Sequence, residues 1–229
     1  MSEPGRSALE LLGALAGGLV HEIKNPLSTL TINLTLLKED LEAALPQDRA
    51  VLRRVELLQK EVRRLESVLD DFVRYAGMRR LEKRRHDLKE LAGEMLEFVG
   101  PGFKRDGVRI EADVSPAPVD VDAALYKQAL LNILLNAQQA MEGGGLVRVT
   151  GGPSGGQVVL EIADTGRGIA PEHLDKVFQV YYSASKAGSG LGLPTARRIL
   201  EEHGGSVELE SELGKGTRVR LLLPAARDA

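Results

Sequence analysis

Cysteine is absent from the 229 residues. That removes disulfides and thiolate-based metal or redox chemistry, and it fits a cytosolic setting. Long apolar runs are missing too. The best stretch, Leu11 to Val20, follows Glu10 and runs directly into His21 and Glu22. It falls well short of the ~20 residues of a spanning helix, and without a basic flank it does not read as a signal peptide. Any sensing of the outside must come through something else. Positive charge is not in excess: a net charge of -3 gives no electrostatic reason to expect nucleic acid or an anionic membrane as partner. There is no internal repeat and no low-complexity segment. What is present, 43% hydrophobic and 28% charged residues, is ordinary for a globular chain, with length for one large domain or two smaller ones.

Residues 1–6 read as a disordered tail. From Ser7 to Leu45 only Pro26 interrupts a helical pattern, and Val20, Ile23, Leu27, Leu30, Leu34, Leu37 and Leu41 alternate spacings of three and four, an a/d heptad seam. Pro46 opens a turn. A second seam follows through Val51, Val55, Leu58, Val62, Leu65, Leu69, Phe72 and Ala76. Two seams joined by a short turn predict an antiparallel helical hairpin over 7–80. One hairpin buries both seams poorly, whereas two do so as a four-helix bundle, so a homodimer is expected. Periodicity alone is equally compatible with a coiled-coil spacer without chemistry.

The charge-rich stretch from Arg79 to His86 reads as a linker, assigned to 81–87. Beyond it the pattern changes. Helices are expected near Leu88–Val99, Ala123–Met141 and Leu193–His203. Strands are expected near Val108–Ala112, Val119–Val121, Leu146–Thr150, Gln157–Ala163, Ser206–Glu210 and Thr217–Leu223. The order is mixed, so 88–225 reads as an α+β two-layer sandwich, with 226–229 as a tail.

Three features mark the first helix. His21 flanks the core stripe set by Val20 and Ile23, and Asn25 and Ser28 follow on the same face. An accessible imidazole beside the carboxylate of Glu22 suits a nucleophile: one nitrogen attacks while a neighbouring acid holds the other N–H. Pro26 removes a helix hydrogen bond and clashes with the carbonyl of Glu22, a cost of roughly 3 kcal/mol that a plain spacer has little reason to bear. His-Glu-x-x-His is a zinc protease pattern, but the fifth position here is Asn25, so a second imidazole ligand is lacking. A lone helical histidine is also compatible with ordinary surface.

Four elements follow in the second domain. Asn132 and Asn136 lie one turn apart on a helix otherwise apolar on several sides, where amide oxygens suit Mg²⁺ that keeps waters and nucleotide phosphates as its other ligands. Asp164-Thr165-Gly166-Arg167-Gly168-Ile169 follows a strand, and a carboxylate there can accept the exocyclic amine of adenine. Gly188-Ser189-Gly190-Leu191-Gly192-Leu193 opens a helix, an anion-binding arrangement, with Lys186 within reach of phosphate. It is neither a Walker loop nor a Rossmann turn. Gly214-Lys215-Gly216-Thr217 enters the last strand and reads equally well as a plain hairpin.

In order and spacing these elements resemble the H, N, G1, F, G2 and G3 boxes of bacterial two-component sensor histidine kinases, over about residues 10–225. Leu135-Asn136-Ala137-x-Gln139-Ala140-Met141 and Gly190-Leu191-Gly192-Leu193-Pro194 resemble the nitrogen-regulation-type branch most. The resemblance implies a dimerisation and phosphotransfer hairpin followed by a GHKL-type ATP-binding sandwich. It implies His21 as phosphoacceptor with Glu22 as acidic helper, and Asn136 at Mg²⁺ with Asn132 nearby. It also implies Asp164 on adenine, Gly166 and Gly168 lining the base pocket, and Gly190 and Gly192 shaping the lid. Ile169, Lys186, Gly188, Leu191 and Thr217 complete the expected ATP contacts. His-Glu-x-x-Asn is similar to the pattern of bifunctional members, which implies that Asn25 serves a phosphatase reaction on the response regulator. The F box departs from Phe-x-Pro-Phe, reading Phe178-Gln179-Val180-Tyr181, and only Ala187 separates Lys186 from Gly188, which predicts a short lid. No sensor domain precedes the H box.

The reading is therefore a cytoplasmic, Mg-ATP-dependent histidine autokinase that phosphorylates a response regulator, with an upstream sensory partner or a truncated sensor as the source of its signal. A phosphatase-dominant member, a nucleotide-binding dimeric scaffold and a serine kinase of the anti-sigma type are the alternatives. The last would need neither the heptad hairpin nor His21.

Overall fold

The computed structural model describes the backbone of residues 3–44, 49–76, 81–182 and 190–226, and the side chains of these ranges apart from residues 3–22, 63–64, 67 and 70–76. The chain divides into two compact units, Met1–Arg79 and Arg80–Ala229.

The first unit is a pair of helices, α1 (Glu3–Ala44) and α2 (Arg49–Ala76). The tail expected over 1–6 is corrected: helix begins at Glu3, because Pro4 in a first turn gives up only an amide that has no helical partner. Pro26 lies inside α1 without ending it. Thr31 Oγ1 donates to Glu66 Oε1 at 3.3 Å, Gln59 Nε2 donates to Thr35 Oγ1 at 3.4 Å, and Lys38 pairs with Glu56 at 3.0 Å. Partners advance along α1 as they recede along α2, which is an antiparallel register.

The heptad seam divides into two half-seams. Leu27, Val55 and Val62 are buried between α1 and α2, whereas Ile23, Leu30, Leu37, Leu58 and Leu65 are 40–54% exposed. The exposed residues of α1 recur every seven positions, so they form one continuous apolar stripe.

The second unit packs helices on a mixed sheet. Its elements are β1 (Arg84–Asp87), α3 (Leu88–Arg105), β2 (Val108–Val114), β3 (Pro118–Val121), α4 (Ala123–Ala140), β4 (Gly145–Ser154), β5 (Gln157–Asp164), α5 (Pro171–Leu174), α6 (Gly192–Glu202), β6 (Ser206–Glu212) and β7 (Gly216–Pro224). Five strands form one sheet in the order β2-β4-β5-β7-β6. The β2–β4 pair is parallel and the others antiparallel. Alternation decides the faces. Leu160, Ile162, Val219 and Leu221 are buried. On the opposite side Glu161 binds Arg218 and Arg220, and Arg220 also meets Glu208 and Glu210. The architecture is the α+β sandwich the sequence predicts.

Several boundaries differ from expectation. The linker assigned to 81–87 is corrected, since Arg84–Asp87 pairs antiparallel with β3. Its charges are used locally: Arg85 pairs with Asp120, and Asp87 caps α3 by accepting the Lys89 amide at 2.7 Å. Helix α3 runs on through Gly100-Pro101-Gly102 to Arg105 because Phe103, 1% exposed, anchors its last turn. Strand β4 continues past Gly151, Gly152 and Pro153, and the reversal falls at Gly155-Gly156, both at positive φ, as a two-residue hairpin turn requires. Among the described residues no helix is long and apolar enough to cross a membrane.

Candidate functional site

The site is built around Asp164, the last residue of β5. Its Oδ1 accepts the amides of Gly166 at 2.8 Å and Thr217 at 3.2 Å. Its Oδ2 has no hydrogen-bond partner among the described residues. The carboxyl is half-buried, and burial raises its pKa against the opposing pull of the two amides. One oxygen is thus saturated by backbone and the other is left to accept from a ligand.

Glycines allow the surrounding backbones to close in. A Cβ on Gly166 would lie 2.7 Å from both Cβ and O of Ala140, at the end of α4. On Gly168, at φ +67°, it would lie 2.0 Å from the Glu212 carbonyl oxygen, and on Gly216, at φ +100°, 1.9 Å from that of Asp164. The left-handed backbone suits glycine, and the contacts admit nothing larger. Ile169 is held by its amide, which donates to Ser211 Oγ at 2.9 Å. Thr217, besides its amide bond to Asp164, shares a 2.9 Å hydroxyl contact with Ser211.

Helix α4 joins this pocket to the start of α6. Asn132 Nδ2 donates to Gly192 O at 3.2 Å, and a Cβ on Gly192 would lie 3.5 Å from Asn136 Nδ2. Ala140 is one turn beyond Asn136, so the face of α4 that meets Gly192 also meets Gly166. Gly190, at φ +71°, backs onto Tyr181 and Tyr182, and its carbonyl accepts the Tyr181 amide at 3.1 Å. Tyr181 itself stands at φ 65°, so the atypical Phe178-Gln179-Val180-Tyr181 stretch ends in a left-handed residue. Leu191 is fully buried. The structure therefore brings together Asn132, Asn136 and Gly192, and separately Asp164, Gly166, Gly168, Ile169 and Thr217, with α4 common to both groups. Lys186 and Gly188 lie outside the described residues.

His21 and Glu22 lie within α1, and their side chains are outside the described residues. Asn25 is exposed, and its carbonyl accepts Thr29 Oγ1 at 3.0 Å. Among the described residues no group of three or more His, Cys, Asp or Glu could hold a metal ion. Sequence reading missed Ser211 and Glu212. A lone serine in a strand and a carbonyl oxygen carry no motif.

Residues 11–80 match the family model described as "His Kinase A (phospho-acceptor) domain". Residues 121–227 match "Histidine kinase-, DNA gyrase B-, and HSP90-like ATPase". The sensor histidine kinase ZraS of Escherichia coli (strain K12) is 33% identical over 221 residues, 96% of this chain and 47% of that protein. The crystal structure of full-length ShkA in complex with AMPPNP is similar at a TM-score of 0.72 and 28% identity, over 94% of this chain and 46% of that one. Histidine kinase ThkA in complex with response regulator protein TrrA shares the fold at a TM-score of 0.69 and 24% identity, over 96% of this chain and 64% of that one. The chain spans about half the length of the curated relatives it matches. Sporulation kinases and a nitrogen regulation protein match alongside ZraS, so the relatives share a family rather than a single branch. With a phospho-acceptor domain and an ATPase domain in succession, the chain belongs to the two-component sensor histidine kinases.

Proposed function

We propose that the chain is an ATP-dependent histidine autokinase that phosphorylates His21 and passes the phosphoryl group to an aspartate of a response regulator. The observation that carries this reading is the division of labour within Asp164: two backbone amides hold Oδ1, and Oδ2 is left to accept the exocyclic amine of adenine. Gly166 and Gly168 let the backbones beside Asp164 close in to shape the base pocket. Ile169 and Thr217 border it, and Gly190, Leu191 and Gly192 lie on the phosphate side, to which the sequence motif also assigns Lys186 and Gly188. The donor set suits Mg²⁺, since Asn136 offers one neutral amide oxygen beside Asn132, and nucleotide phosphates and waters complete a magnesium shell. Mg²⁺, when bound, supplies neutralisation of charge on the phosphate oxygens.

In the reaction a ring nitrogen of His21 attacks the γ-phosphorus. An N–P bond forms, the bond from phosphorus to the bridging oxygen breaks, and ADP leaves with the electron pair. Glu22 holds the other ring N–H and stabilises the imidazolium until it loses its proton. In the second step a regulator carboxylate attacks the same phosphorus, the N–P bond breaks, and imidazole is regenerated.

The hairpin, residues 7–80, is the dimerisation and phosphotransfer unit in this reading, and 88–225 the ATP-binding unit. The exposed half-seam supports a homodimer, in which two stripes cover each other as a four-helix bundle. Asn25, exposed one turn beyond His21, supports a second activity on the phosphorylated regulator. A neutral amide there can orient a water towards an aspartyl-phosphate without acting as a base. The need for ATP and for a regulator makes the cytoplasm the proposed place of work. The ThkA–TrrA complex supports a receiver domain as partner.

Incubation with γ-labelled ATP and Mg²⁺ tests the central claim. The chain should acquire label that is stable to alkali and lost in acid, as a phosphoramidate is, and His21→Ala should acquire none while still binding ATP. Label retained by that variant would refute the assignment.

A further inference from the structure

Strand β6 is an edge strand whose residues alternate between exposed and partly buried positions. Val207 and Leu209 occupy the inward row, and the next inward position is Ser211. A hydroxyl stands where the alternation calls for an apolar side chain, and a polar group turned inward needs partners. Ser211 has three: the Ile169 amide at 2.9 Å, the Gly216 carbonyl at 2.8 Å and the Thr217 hydroxyl at 2.9 Å.

A serine hydroxyl offers one donor and two acceptor sites. The Ile169 N–H can only donate and the Gly216 carbonyl can only accept. The Ser211 proton therefore goes to Gly216 O, and the Thr217 hydroxyl donates to Ser211. Every site is filled in a single arrangement. The partners come from two segments that flank Asp164. Ile169 closes the loop that begins at Gly166, whose amide donates to Asp164 Oδ1. Gly216 lies against the Asp164 carbonyl, and Thr217 supplies the second amide to Oδ1. A backbone bond from Gly214 N to Arg167 O, 2.7 Å, joins the same two segments at the turn.

We propose that Ser211 is a positioning residue for purine recognition: its hydroxyl ties the 166–169 loop to the start of β7 and so fixes the direction in which Asp164 Oδ2 meets the purine's exocyclic amine. This rests on the reading of Asp164 as the base acceptor. Ser211 touches no nucleotide in this account. It acts through Thr217 and Gly216, and its effect falls on discrimination between purines rather than on phosphate binding.

Calorimetric titration of the full chain with ATP and with purine riboside triphosphate, which lacks the amine, tests the proposal. The wild-type chain should prefer ATP. Ser211→Ala should lower that preference by roughly 3- to 10-fold, the equivalent of one ordinary hydrogen bond, with most of the change in ATP affinity. Ser211→Thr, which keeps the hydroxyl, should restore it. Equal weakening of both nucleotides, or an unchanged preference, in Ser211→Ala would overturn the role of Ser211. A wild-type chain without preference for ATP would instead refute Asp164 as base acceptor. Should Ser211→Ala lose its fold, Thr217→Val removes one partner of the hydroxyl while keeping the amide bond to Asp164. It should lower the preference in the same direction, and an unchanged preference there would equally overturn the proposal.

Discussion

The ring of His203 accepts the Asp122 amide proton on Nε2 at 2.9 Å and donates from Nδ1 to Ile199 O at 2.7 Å. An amide can only donate and a carbonyl can only accept, so the buried ring is neutral, with its proton on Nδ1. The bond joins the end of α6 to the start of α4, the two helices that meet at Gly192 and Asn132. Lys83 Nζ donates to the His203 carbonyl at 3.0 Å, and Glu82 N donates to Asp122 Oδ2 at 3.2 Å.

Burial lowers the His203 pKa from its ordinary 6.5, with the Lys83 charge acting in the same sense and Asp122 and Glu202 against it. Below pH 6.5 the unfolded chain therefore binds a proton that the fold refuses. Stability from this group is full above that value and is lost as pH falls from it towards the depressed folded value. Thermal melting between pH 7.5 and 5.5 should show a steeper decline for the wild-type chain than for His203→Gln, whose amide can reproduce both bonds without titrating. Identical slopes would show that His203 contributes nothing to the acid sensitivity.

Asp164→Asn should separate stability from binding. Burial raises the Asp164 pKa, so the ionised carboxylate of neutral pH is a burden on the fold that protonation relieves. Asparagine keeps an Oδ1 for the amides of Gly166 and Thr217 and removes the charge. The melting temperature at pH 7 should rise by about 2 °C, a figure kept small because the group retains contact with solvent. The Nδ2 group then presents a donor to the adenine amine, and ATP affinity should fall at least about tenfold, or ~1.4 kcal/mol. Calorimetry with ATP and a melting curve read the two effects on one sample. Unchanged affinity would mean that the base binds elsewhere.

The two half-seams should respond differently to substitution. Leu30→Glu combined with Leu37→Glu places charge on the exposed stripe, and light scattering should find the full chain converted from dimer to monomer with its helix content kept. Leu27→Ala acts within the hairpin instead. It should destabilise the helices by about 2–5 kcal/mol, as truncation of a buried leucine does, read as an earlier loss of helical circular dichroism. A double glutamate variant that stays dimeric would remove the stripe from the interface.

Asn25→Ala should leave most self-labelling intact and slow regulator dephosphorylation by tenfold or more, about 1.4 kcal/mol of barrier. Label gained by the chain from γ-labelled ATP reads the first rate, and label lost from the phosphorylated regulator reads the second. Equal loss of the two activities would reduce Asn25 to a support for the helix beside Pro26.

Legibility in the sequence followed the physics of each element. Alternating threes and fours revealed both long helices, and Val158, Leu160 and Ile162 fall within the stretch read as a strand over Gln157–Ala163. Strand β1 was hidden because Arg84-Arg85-His86-Asp87 has no apolar alternation; its pairing depends on β3, met thirty residues later. The heptad pattern located the seam but not its division, since Leu27 and Leu30 look alike until α2 covers one and not the other. At the candidate site, Asp164 and its glycines stood out because few residue types suit those backbones. Ser211 did not, because its three partners lie in other segments and no local pattern announces them.

The glycines that let three backbones meet have a consequence at the level of the gene. Any single-base change in a glycine codon that alters the residue adds a Cβ. At Gly168 and Gly216 that atom would lie 2.0 Å and 1.9 Å from a backbone oxygen that cannot step aside. Point mutation offers no mild replacement at either codon. A library of random variants selected for kinase output should therefore return these two positions unaltered.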